Sequence, residues 1–138
     1  MKDLALLVGR ILLVAIFPIS AYYKIIGWPG ITTIVEKAGL PYAVPLGALG
    51  TAAELLLPIL VILGLFTRWA AFGLILYVIA ATYIGHPVLW RMPPDAFFGQ
   101  LMGQMKNLAM IGGLLMIVGF GPGRLAFRPS REEEYATA

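Results

Sequence analysis

Few side chains in this sequence can do chemistry. Arg10, Lys24, Glu54, His86, Lys106 and Asn107 interrupt or border long apolar stretches. An ionisable group inside a bilayer is costly unless paired or hydrated, so each marks a candidate ligand site. Lys24, His86 and Asn107 can donate hydrogen bonds to a ligand, while Glu54 can take up or release a proton. Arg10, Phe17 and Lys24 recur every seven residues and therefore share one side of a helix. The chain has no cysteine and one histidine. That removes disulfide frameworks, thiol redox centres, iron–sulfur clusters, covalently attached or bis-histidine haem, and nearly every transition-metal site. No metal and no intrinsic cofactor is expected.

The elements that must position these residues follow from composition. The chain has 138 residues, of which 60% are hydrophobic and 12% charged, with a mean hydropathy of +0.89. That length predicts one domain, too apolar to cover its surface with polar groups, so the excess must face lipid. A membrane-crossing helix needs about 20 mostly apolar residues. Stretches at about 4–26, 42–66, 69–85 and 105–121 qualify. The expected fold is all-α, a four-transmembrane-helix antiparallel bundle over 1–125, with a polar tail at 126–138. Only Thr67-Arg68 separates the second and third spans, which predicts a tight helical hairpin. Arg10 breaks the first span where a signal peptide would be uninterrupted, so this span is expected to stay as a helix.

The ten Lys and Arg residues are scattered, which suits topology signals and excludes a nucleic-acid surface. Six of them (Lys2, Arg10, Arg68, Arg124, Arg128, Arg131) fall on the side of the termini and four (Lys24, Lys37, Arg91, Lys106) on the other. This split places both termini in the cytoplasm. In the first outer loop, Gly27-Trp28-Pro29-Gly30 makes a break, and residues 31–40 suit a short interfacial helix. The second outer loop, rich in proline and aromatic residues from His86 to Gln104, is expected to be ordered over the mouth of the bundle.

Glu54 stands about 12 residues into its span, about 18 Å along the helix and close to mid-bilayer. Gly47, Gly50, Thr51, Pro58 and Val61 share its face, which should point inward. The estimated levels predict an Arg10–Glu54 pair, either a structural fix of helix register or part of a site. Lys24 is expected near the outer end with His86, Lys106 and Asn107, where Tyr22, Tyr23 and Tyr83 add hydroxyls. Together these make a cationic vestibule above a carboxylate. The alternative for the lysines is snorkelling to headgroups, and for His86 an interfacial position.

Gly-Arg-Ile-Leu-Leu early in span one, Ser20 before Lys24, Ala53-Glu54-Leu55, Leu63-Gly64-Leu65-Phe66-Thr67-Arg68, His86, Asn107-Leu108-Ala109 and Gly121-Pro122-Gly123-Arg124 occur in order. Over about residues 7–128 this pattern resembles the DoxX family of small bacterial inner-membrane proteins. Ala21 departs from it, since the family more often has glycine after the serine. The resemblance implies a four-span membrane protein in which Arg10, Lys24, Glu54, Arg68, His86 and Asn107 are family-typical positions. It also implies a small inner-membrane subunit or accessory of a quinone-linked oxidoreductase or respiratory complex, without its own metal centre, in which a quinone is the candidate ligand and Lys24, His86 and Asn107 are its candidate hydrogen-bond donors. The alternatives are an assembly subunit without chemistry and a proton-coupled transporter of small acids. The expected partners are the lipid bilayer with other membrane subunits or further copies of the chain. As an isolated chain it is not expected to be a complete enzyme.

Overall fold

The fold was obtained as a computed structural model that describes residues 2–85 and 93–127. Its helices are α1 (Lys2–Val14), α2 (Ile16–Ile26), α3 (Gly30–Lys37), α4 (Ala43–Leu63), α5 (Thr67–Gly85) and α6 (Pro94–Phe120). Four helical segments are long and apolar enough to cross a membrane: Lys2–Ile26, Ala43–Leu63, Thr67–Gly85 and Pro94–Phe120. The architecture is thus the expected all-α bundle of four membrane-length helices, with the short helix α3 in the first loop.

The first of these segments is a single rod with a break at Ala15. Pro18 has no N–H to give the Val14 carbonyl, so the ladder loses one rung there. Pro58 does the same to the carbonyl of Glu54 inside α4. After α4 the chain turns through Gly64, whose φ of +75° is left-handed, and its N–H together with that of Leu65 closes the helix onto Val61 and Leu60. The hairpin therefore pivots on Gly64-Leu65-Phe66, and Thr67-Arg68 already belongs to α5.

Two boundaries move from the sequence reading. The short helix covers Gly30–Lys37, ending ahead of a left-handed Gly39. The last helix begins at Pro94, not near Met105. Pro93 is extended, Pro94 sits at the first helical position where a missing N–H costs nothing, and Asp95 complements the positive end of the helix dipole. No proline follows within α6, so the segment after Pro94 is helix where an ordered loop was expected. The remainder of that loop, residues 86–92, and the tail beyond residue 127 lie outside the described residues.

The packed core occupies the half of the bundle nearest the termini. There Val14, Phe17, Val61, Leu74, Val78 and Leu114 interlock around α5. After α6, residues Gly121-Pro122-Gly123 are buried and carry the chain back across the ends of α1 and α4. The Phe127 N–H donates to the Leu63 carbonyl at 3.0 Å, so the chain through Phe127 is a strap on the bundle and not a free tail.

Candidate functional site

Glu54 is 4% exposed and carries an ion pair, but its partner is Lys24. The Lys24 ammonium donates to Glu54 Oε2 at 2.7 Å and to the Tyr77 hydroxyl oxygen at 2.7 Å. It also lies 5.5 Å from the centre of the Tyr77 ring, close enough for cation–π attraction. The Phe17 ring meets Tyr77 edge-on at 6.2 Å and limits its movement. Residues from α2, α4 and α5 thus meet at the middle of the bundle.

The expected Arg10–Glu54 pair does not form. Side chains on a helix lean toward its N-terminus. Lys24 therefore reaches inward from near the loop end, and Glu54, on the antiparallel α4, leans up toward it. Arg10, on the same rod as Lys24, leans the same way, but from its position this carries it away from Glu54 and toward the termini, where one guanidinium nitrogen donates to the Leu125 carbonyl. Its Nη1 lies beside Gly64, ten residues past Glu54 and about 15 Å further along α4. Cα positions alone do not include this lean, which brings Lys24 down to Glu54 and carries Arg10 away from it.

Of the other expected residues, Asn107 donates to the Thr82 hydroxyl at 2.8 Å, and Thr82 donates to the Val78 carbonyl at 2.7 Å. This ties α6 to α5 and does not bring Asn107 to Lys24. Lys106 is exposed and lies well inside α6, not in its first turn. His86 lies outside the described residues. Lys24, placed in the vestibule by the sequence, is in the ion pair instead. Tyr77 was missed, although a hydroxyl on the inner face of a charge-free span was a signal available in the sequence.

A cavity of about 590 Å³ opens on the loop side of the ion pair. Ile31, Ile34 and Val35 of α3 roof it, α4 and α5 form its walls, and Lys24, Thr51 and Tyr77 supply its polar groups. Gly47 lets α3 settle onto α4, since a Cβ there would stand 3.2 Å from Ile31 Cγ2. Wall residues Leu46 and Leu49 are exposed, Leu49 by 69%, so the cavity opens sideways between helices. In a membrane that side is lipid. Among the described residues, Lys24 is the one charged side chain on the cavity wall, and Glu54 behind it balances its charge. The arrangement offers hydrogen-bond donors to a neutral acceptor at the bottom of an apolar cleft.

Four membrane-length helices, a buried ion pair and a lateral apolar cavity define a multi-pass membrane protein whose site faces the lipid phase. The DoxX family model matches residues 5–87, more than half of the chain. The chain belongs to the DoxX family. It is also similar to the inner membrane protein YphA of Escherichia coli (strain K12), with 30% identity over 125 residues, 91% of this chain and 89% of that protein. It is accordingly a multi-pass protein of the inner membrane. No solved structure matches it.

Proposed function

We propose that this protein is a small subunit or accessory of a quinone-linked membrane oxidoreductase, with both termini in the cytoplasm. In this reading a quinone enters the α3–α4–α5 cavity from the bilayer and accepts a hydrogen bond from Lys24 or Tyr77. The observation that carries it is the charge balance of the cavity: Lys24 points a donor toward an apolar cleft while Glu54 at 2.7 Å neutralises it. Such a site favours an uncharged carbonyl over a carboxylate, because a second anion would compete with Glu54. The electrons would come from a redox centre on another subunit, since side chains such as these store none.

The test is to purify the protein from its membrane in mild detergent and extract bound quinone. About one quinone per chain is expected, with loss of at least about tenfold in Ala81→Leu, which fills the cavity wall without touching the ion pair. Quinone-free protein from quinone-replete membranes, or equal quinone in the filled variant, sinks the proposal.

A second reading, an assembly subunit without chemistry, draws on α6. Lys106 is exposed on a helix that otherwise presents Leu108, Leu115, Met116 and Phe120 outward. A lipid-facing lysine at that depth suits contact with an acidic group on a neighbouring membrane subunit. Stoichiometric protein partners retained in place of quinone would favour it.

A further inference from the structure

A second large cavity lies at the opposite end of the bundle and has no part in the quinone reading. It holds about 650 Å³ between α1 and α6, bounded by Leu6, Gly9 and Leu13 on one side and Gly113, Met116 and Phe120 on the other. Leu6, Met116 and Phe120 are all exposed, so this groove also opens toward lipid. A Cβ on Gly9 would meet nothing within 4 Å, which leaves bare backbone facing free space.

Among the described residues, Arg10 is the one charged side chain lining the groove. It is 2% exposed, and among those residues one of its guanidinium nitrogens has a partner, the Leu125 carbonyl, while Nε and Nη1 have none. A guanidinium keeps its charge when buried, and a cation held in a low-dielectric site without a counter-ion is strongly unfavourable. Glu54, the carboxylate deepest in the spans, is already taken by Lys24. The missing negative charge must come from outside the spans. Arg10 lies eight residues into its helix, about 12 Å from the end, and leans back toward that end. This is within reach of the phosphate layer of the adjacent leaflet.

We propose that the α1–α6 groove binds an anionic phospholipid, with its phosphate on Arg10 and an acyl chain along Gly9 and Met116. The phosphate supplies acceptors for Nε and Nη1, while the groove supplies apolar contact for the chain. Gly64 and the strap residue Ala126 cover the guanidinium. Seating the lipid therefore shifts the strap, which is held by the Leu125 and Phe127 hydrogen bonds.

The experiment uses the full chain in detergent with three probes: phosphatidylglycerol, phosphatidylcholine and inorganic phosphate. Native mass spectrometry and thermal melting give the readouts. Phosphatidylglycerol should be retained at one per chain and raise the melting midpoint more than phosphatidylcholine does, while inorganic phosphate has no effect. Arg10→Gln should lower the preference for phosphatidylglycerol by roughly tenfold or more. Gly9→Leu should abolish retention by filling the groove while leaving Arg10 in place. Equal retention of the two lipids by the unmodified protein overturns the proposal, as does undiminished preference in Gly9→Leu. A midpoint shift by inorganic phosphate equal to that of phosphatidylglycerol overturns the lipid assignment in favour of a simple anion site. Should Arg10→Gln fail to accumulate, the lipid comparison and Gly9→Leu still decide.

Discussion

Lys24 and Glu54 are bound to each other unequally. Glu54 is enclosed by the bundle, whereas the Lys24 side chain keeps 24% of its surface accessible and sits near the loop end of its helix. Removing the lysine strands a carboxylate at mid-span. Removing the carboxylate leaves a lysine that can swing out to the headgroups. Lys24→Met should therefore lower stability by about 3 kcal/mol, and Glu54→Gln by about 1 kcal/mol. The double variant Lys24→Met/Glu54→Leu should recover most of the loss, because apolar replacement of a whole buried pair is often neutral. Melting midpoints of the purified variants check the order, and equal losses for the two single variants would show that Lys24 is as confined as Glu54. The importance of Glu54 was legible in the sequence, because a lone acid at the centre of a span must face inward. Its partner was not, because pairing depended on the direction in which each side chain leans and not on where its Cα stands. Tyr77 was invisible to a reading that weighted charges and the outer rim.

At the level of elements, the four long helices could be read from apolar run length, but their ends could not. Hydropathy falls off before Met105, whereas the helix is set by Pro93 and Pro94 and continues through polar Gln100 and Gln104. The strap was equally hidden. Its sequence looks like the start of a tail, and its place on the bundle depends on glycines that meet other parts of the chain. Gly64 is the clearest case. Its φ is +75°, and a Cβ would stand 2.3 Å from Ala126 Cβ. Gly64→Ala should destabilise by about 1–3 kcal/mol and make the strap near Arg124 cleavable by added protease. Gly112→Ala is the contrast, since Gly112 lies inside α6 and its added Cβ meets nothing within 4 Å. That variant should melt at the same temperature or higher, by up to about 1 kcal/mol from helix propensity. A strap that stays protease-resistant in Gly64→Ala would mean that it adapts without leaving the bundle.

For the whole molecule, the pairing at mid-span changes the argument for orientation. Arg10 and Lys24 both have their charged groups inside the bundle, so neither reports on a membrane edge. Without them the termini side retains Lys2, Arg68, Arg124, Arg128 and Arg131, and the loop side retains Lys37, Arg91 and Lys106. The asymmetry survives at five against three and now rests on residues outside the spans or at their ends, apart from Lys106. The absence of cysteine makes the orientation directly measurable, because any introduced thiol is the only one in the chain. Thr33 is exposed on α3, and Thr137 lies next to the C-terminal residue. In intact spheroplasts a membrane-impermeant maleimide should label Thr33→Cys, while Thr137→Cys should react only after the membrane is permeabilised. The reverse pattern would invert the bundle and move the quinone cavity to the cytoplasmic leaflet. Labelling of both from outside would contradict an even number of spans, and with it the antiparallel bundle that brings α2, α4 and α5 together at Lys24, Glu54 and Tyr77.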